Sequence, residues 1–312
     1  MTTQLYDVFG GALESELPIG DLPVSSASSA DWRLTLEGPA PPPDGELLGS
    51  DIVYGTTEVR GYRTAAGFSL VFDDTGRFDV SGDGSAIRWH RPADAVLEAA
   101  QADITSRVLA LALHARGVFT LHASSVSANG NGIAFLAPKH HGKSTLCSAL
   151  VLAGARAMSD DTVPVRPGSP PMLAPGLPRL RLWSDAASRL FGVEHEDAGS
   201  ARKHLLDQLD PSQLETGVVP FSAAYILSPV RELPEGAAAT RERLDSVQST
   251  VSLVGHAKLG PVLAGSESPT MLAMAADIAR EVPVYALYVV RDMDRLAEVA
   301  SLVAGWHSAA RR

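Results

Sequence analysis

The chain has 312 residues, 45% of them hydrophobic, which is enough for two domains of ordinary size with sizeable cores. Its 36 acidic and 26 basic residues give a net charge of -10, which excludes a broad electrostatic footprint for nucleic acid. No apolar run approaches the roughly 20 residues that cross a bilayer, residues 1–20 carry acids where a signal peptide would be basic, and the single Cys147 leaves no internal disulfide or cysteine-cluster metal site, so a cytoplasmic protein is expected.

Residues 1–92 alternate short apolar runs with turn-forming clusters, as at 30–36, 67–72 and 78–80, and read as a smaller β-rich N-terminal domain. Within it the prolines at 41–43 and the glycine-bearing stretch 45–49 read as loop. The spacing turns helical over 94–116, with Val96, Leu97, Ala100, Ile104, Val108, Leu111 and Ala115 on one face and Gly117 as the stop, so a second domain is expected over 93–312. A strand at 118–127, a turn at 128–132 and a strand at 133–137 come next. Counting pairs outward from a turn flanked by Ser127 and Ile133 sets His122 opposite Pro138. A helix at 143–153 ended by Gly154, a short strand at 155–158, and a strand at 179–183 leading into a helix capped by Ser184 continue the pattern. Strands at 221–227 and 282–290 and a closing helix at 293–304 complete an α/β domain.

Between the apolar strand and the first helix of that domain lie Ala137, Pro138, Lys139, His140, His141, Gly142, Lys143, Ser144 and Thr145. Strand, loop and helix in this order are the setting of a phosphate-binding loop of Walker A type. Gly142 lets the backbone approach phosphate, and the amides at the helix start, with the helix dipole, favour an anion. Lys143 supplies a point charge to the outer phosphates, and the Ser144 hydroxyl is suited to Mg²⁺. The loop departs from the usual form at Ala137, where a first glycine is normal, and at His140, where another often stands. Histidine reaches positive φ more readily than most residues but not freely, so a specialised loop is expected. Cys147, on the following helix, reads as a small core residue.

Asp160 and Asp161 follow the next short strand, where they should face the phosphates. One of two adjacent acids can hold Mg²⁺ while the other accepts a proton from an attacking hydroxyl. Neighbouring side chains of an extended segment point opposite ways, so both reach one site only if the backbone turns there. His122, placed at the mouth of the loop, is suited to shuttle a proton or contact phosphate. Lys203, beside Arg202, is a further candidate for the phosphate charge, against an ordinary solvated helix start.

Leu121-His122-Ala123, the hairpin, the phosphate loop and Ser159-Asp160-Asp161-Thr162-Val163 together resemble the HPr kinase/phosphorylase family and its bacterial HPr-kinase-like relatives, as do Phe9-Gly10 and the segment 178–183. The specific part covers roughly residues 117–185. The resemblance implies a phosphoenolpyruvate-carboxykinase-like P-loop kinase domain over 93–312 that transfers the γ-phosphoryl group of ATP to a serine hydroxyl. By motif position it implies Asp160 as base, Asp161 as the magnesium-side acid, Lys143 as the phosphate lysine and His122 as the active-site histidine. Known members are often oligomers, so a homo-oligomer is expected. The glycine-rich basic segment that serves phosphorolysis and partner docking in bifunctional members is not found, so neither phosphorylase activity nor HPr as substrate is expected. Relatives encoded beside ribosomally made peptides, lasso peptides among them, include some that phosphorylate a precursor serine, which makes a serine-containing peptide or protein the expected acceptor. Two other readings stay open: a nucleotide-binding regulatory protein without transfer activity, and a phosphotransferase acting on a small molecule.

Overall fold

The computed structural model describes residues 3–20, 22–177, 180–192, 203–206 and 209–308. The protein is a mixed α/β structure with several sheets. Eight strands form the first sheet: β1 (Gln4–Val8), β2 (Gly11–Ser15), β3 (Trp32–Glu37), β4 (Gly45–Val53), β5 (Thr57–Thr64), β6 (Gly67–Phe72), β7 (Gly76–Ser81) and β8 (Ala86–His90), lying in the order β1-β2-β3-β8-β7-β6-β5-β4. Alternation of buried and exposed residues along β3, β5 and β7 makes one face apolar. Residues 45–49, read from sequence as loop, are instead the start of edge strand β4, paired with β5 through a bulge at Leu47/Gly49. Glycine there answers to close packing rather than to a turn, since a Cβ on Gly49 would stand 2.2 Å from the Pro261 carbonyl oxygen.

A helical rod follows: α1 (Leu97–Asp103), a π turn (Ile104–Val108) and α2 (Leu109–Ala115), all in right-handed backbone across the joins. Its apolar face buries Ala100, Ile104, Val108 and Leu111 as expected, and Leu109 besides, but Val96 precedes the rod and is exposed. One core joins these residues to Phe68, Phe78 and Trp89 of the first sheet and to Leu253, Met271 and Val284 far along the chain.

The expected strand at 118–127 is broken at His122 into β9 (Phe119–Leu121) and β10 (Ala123–Ala128). β10 pairs with β11 (Asn131–Leu136) one residue out of the expected register, Ala123 opposite Leu136. The cause is a tighter turn: Asn129 and Gly130 take φ of 52° and 75°, the two positive-φ positions of a two-residue hairpin, where a longer loop was expected. Pairing then ends at Ala123, so His122 has no ladder partner opposite Pro138; its amide donates to the His256 carbonyl instead, at 2.7 Å.

After the loop come α3 (Lys143–Leu152), β12 (Arg156–Asp160), β13 (Val163–Arg166), β14 (Met172–Leu173), β15 (Leu180–Trp183), α4 (Ser184–Phe191), β16 (Lys203–Leu206), β17 (Val219–Val230), β18 (Ala239–Arg243), α5 (Ser246–Gly255), α6 (Ser268–Glu281), β19 (Val284–Val290) and α7 (Leu296–Ser308). The backbone of Lys203 lies in a strand paired with β15, not at a helix start; its side chain, the Ser184 cap, Pro178, Arg179 and Arg202 lie outside the described residues. In the second sheet β12, β10, β11, β17 and β19 lie side by side, with β18 beyond β19, while the start of β17 turns away to pair with β14 and on to β13 and β9. β11, β17 and β19 are parallel; β10 runs against both β11 and β12, so the C-terminal ends of β11 and β12 reach the same edge with β10 between them.

Among the contacts that fasten the halves of the chain, two stand out. Arg166 donates to the carbonyls of Phe9 and Gly10, both in positive-φ backbone, at 3.2 Å each. Glu267 accepts from Arg63 of β5 and meets His114 Nε2 of α2 at 2.9 Å; burial, with Arg63 adding to it, pushes His114 down to about 4, so at neutral pH this is a neutral histidine on a buried carboxylate. Glu267→Gln is expected to lower the unfolding free energy by about 2 kcal/mol, less than a fully enclosed ion pair because Arg63 is partly open to solvent. Denaturant unfolding checks this, and a loss under about 0.5 kcal/mol, the size of an ordinary surface substitution, would contradict it.

Candidate phosphate-binding site

Residues 137–145 bend from the end of β11 into α3. His140 takes φ 68° and Gly142 φ 87°, so the loop has two left-handed positions, one of them filled by a residue other than glycine. Gly142 is the N-cap and brings no capping side chain, which leaves the start of α3 unscreened by its own residues. Lys143 Nζ turns back on the loop, donating to the Ala137 carbonyl at 2.7 Å and the Pro138 carbonyl at 3.3 Å. His141 Nδ1 meets the Lys139 carbonyl at 2.9 Å. Cys147 is fully buried, and burial raises its thiol well above the usual range, as expected of a core residue.

Residues 139–145 of the loop, His122, Asp160 and Asp161 line one cleft of about 90 Å³. Asp160 ends β12 and is held by two hydroxyls: Ser144 Oγ donates to its two oxygens at 2.8 and 3.0 Å, and Ser124 Oγ of β10 donates at 2.5 Å. Asp161 takes φ 80°. That left-handed step is the turn the adjacent pair requires, and it brings the second carboxylate into the cleft instead of pointing it away.

Asp161 has a separate set of partners. Lys258 Nζ meets its Oδ2 at 2.5 Å, Ser106 Oγ donates to the same oxygen at 3.1 Å, and His122 Nδ1 lies 3.2 Å from Oδ1 and 3.3 Å from the backbone carbonyl. Burial would push the Asp161 carboxyl up, but the Lys258 ammonium, with His122 beside it, holds it well below the usual carboxylate range. Burial pushes His122 down, Asp161 opposing and Lys258 assisting, so the imidazole is neutral at neutral pH. With Nδ1–H given to Asp161, its Nε2 is left as an acceptor. Lys258 is pushed down by burial, against the pull of Asp161.

Sequence reasoning assembled His122, the loop and both acids but missed Lys258, Ser106 and Ser124. Ser124 had a faint signal, two residues from His122 in an extended segment. Lys258 and Ser106 had none: one comes from the turn after α5, anchored by its amide on the Thr120 carbonyl at 2.8 Å, and the other from the π turn, a helical irregularity often met at functional sites. The next residue of that turn, Arg107, donates to Asp51 of β4 at 3.2 Å, so the first sheet reaches the rim of the site.

Oxygen donors at Ser144 and Asp160 suit a hard divalent cation completed by phosphate and water. Among the described residues no group of three or more His, Cys, Asp or Glu side chains forms a metal cage, and no helix is long and apolar enough to cross a membrane. No family model matches the chain, and no curated protein matches it. Among solved structures it is similar to the HPr(Ser) kinase/phosphatase from Coxiella burnetii, with 13% identity, coverage of 60% of this chain and 90% of that one, and a TM-score of 0.33.

Replacing Lys258 by Met removes the cation that keeps Asp161 ionised. Because 38% of the Asp161 side chain is open to solvent, the expected loss of stability at pH 7 is about 1 kcal/mol, below the roughly 3–5 kcal/mol of a fully buried pair. A depressed carboxylate contributes stability that is present above its unfolded value, about 3.9, and is lost as pH falls through the lower folded value. The difference between wild type and Lys258→Met should therefore shrink below about pH 4, measured by denaturant unfolding at pH 7 and pH 3. An equal or larger difference at pH 3 would contradict the pairing.

Proposed function

We propose that the protein is a P-loop kinase that transfers the γ-phosphoryl group of ATP to a serine hydroxyl of a peptide or protein. The observation that carries this is the joining of three parts in one cleft: a helix-start anion site, a Ser144–Asp160 oxygen pair, and a second carboxylate turned in by the positive φ of Asp161. Nucleotide phosphates fit over the start of α3, with Lys143 swinging from the loop carbonyls onto the outer ones. Ser144 and Asp160 would hold Mg²⁺, which when bound neutralises charge on the outer phosphates.

The hydrogen bonds favour the reverse of the roles that motif position implies for the two acids. Asp160 shares its oxygens with the Ser144 hydroxyl, which suits the metal side. Asp161, on the far side and oriented by His122, Ser106 and Lys258, suits the acceptor. In transfer the serine Oγ forms a bond to the γ-phosphorus, the bond to the β–γ bridging oxygen breaks with ADP leaving, and the hydroxyl proton passes to the Asp161 carboxylate. A carboxylate held so far down is a weak base, but a loose transition state moves that proton late, and most of the rate comes from positioning and charge.

A second reading, nucleotide binding without transfer, is favoured by one contact: Lys143 is satisfied by the carbonyls of its own loop and must turn outward to meet phosphate. Mass spectrometry of serine-containing peptides and proteins after incubation with ATP and Mg²⁺ separates the two. Phosphoserine is the expected product; nucleotide binding with no phosphorylated acceptor would favour the second reading. Where product forms, Asp161→Asn is expected to lower kcat by about 10²–10⁴-fold with ATP affinity kept. Asp160→Asn is expected instead to raise the Mg²⁺ concentration needed for half-maximal rate. The opposite pattern, read from rates against Mg²⁺ concentration, would restore Asp160 as the base.

A further inference from the structure

A second and larger cleft, of about 320 Å³, opens on the other side of the phosphate loop. The two clefts share His140, His141, Gly142 and Thr145, so the loop is a common wall between them. The floor of the larger one is apolar, with Leu146 from α3, Leu227 and Pro229 from the end of β17, Val289 from the end of β19, and Leu296 and Val299 from α7. Apart from His140, His141 and Thr145 of the shared loop, its polar side chains are the exposed Asp185, Arg291 and Asp292 at the rim.

We propose that this cleft takes the nucleoside of the bound nucleotide, an inference that rests on the phosphate-loop reading above. Sheet order sets the direction. With β12, β10, β11, β17 and β19 side by side, the loop leaves β11 with the two acids on the β12 side and the larger cleft on the β17–β19 side. A triphosphate over the start of α3 therefore has its terminal phosphate at Asp160 and Asp161, and its first phosphate at Thr145, where the larger cleft begins. The chemistry of the cleft matches that end of the ligand. Two acids against one arginine at the rim disfavour a further phosphate, and an apolar floor suits the flat face of a base. The volume is at the small end of the about 300–1,000 Å³ of ligand clefts, enough for one nucleoside and too little for a second.

Titration of wild type, Val289→Trp and Met293→Trp with ATP and with inorganic tripolyphosphate, each with Mg²⁺, tests this. Wild type should bind ATP at least about 10-fold more tightly than tripolyphosphate, and a tryptophan filling the cleft should remove that advantage while tripolyphosphate affinity changes less than about twofold. Met293 lines the same cleft from a turn outside the sheet, so its variant repeats the test without touching β19. Equal ATP affinity in wild type and both folded variants would overturn the nucleoside assignment while leaving the phosphate loop standing. Failure of wild type to bind either ligand would overturn the phosphate-loop reading, and this one with it.

Discussion

The contact between Ser144 and Asp160 is the constraint on which the site depends. It links the first turn of the loop helix, which follows β11, to the last residue of β12, although β10 lies between those two strands in the sheet. Ser124 of β10 completes the link from the strand in the middle. The loop helix and two adjacent strands, β10 and β12, are thereby held to one carboxylate. A hydroxyl that gives its proton to that carboxylate keeps its lone pairs for a cation, which is why a small structural bond also has a chemical meaning.

From that point the rest of the cleft follows by a single backbone step. Asp161 enters left-handed conformation, a costly choice for a residue other than glycine, and the cost is offset by charged hydrogen bonds to Lys258 and His122. These partners come from distant stretches of chain. Lys258 is held by the Thr120 carbonyl and Ser106 by the π turn, so the short strand before His122 and the helical rod both position the Asp161 side of the cleft. The first sheet joins through Arg107 and Asp51, and through the buried Glu267 that binds both β5 and α2.

What could be read from sequence divides along local and non-local lines. The loop, the helix after it and the strand ending in the acids were legible because each is signalled by adjacent residues: Gly142 before Lys143, apolar spacing at Leu146 and Leu150, Gly154 as the stop. At His140, where a glycine often stands, a specialised loop was expected, and the residue takes positive φ. The hairpin register slipped by one because the choice between a two-residue and a longer turn in Ala128-Asn129-Gly130-Asn131-Gly132 is settled by pairing, not composition. Residues 45–49 were misread because glycine in a strand looks like a turn until the carbonyl pressed against it is known. Lys258 had no signal at all: a lysine within Ala257-Lys258-Leu259-Gly260 is an ordinary turn residue, and only the folded chain places it beside Asp161. The roles of the acids depend on such partners, and motif position, which implies Asp160 as base and Asp161 as the magnesium-side acid, takes no account of them.

The central claim is that residues 137–145 are a nucleotide phosphate site, and calorimetric titration of wild type and Lys143→Ala with Mg²⁺ and ADP tests it most directly. Saturable one-to-one binding by wild type, weakened at least about 10-fold in the variant, is the predicted result. Absence of binding by wild type, or equal affinity in a folded Lys143→Ala, would contradict it.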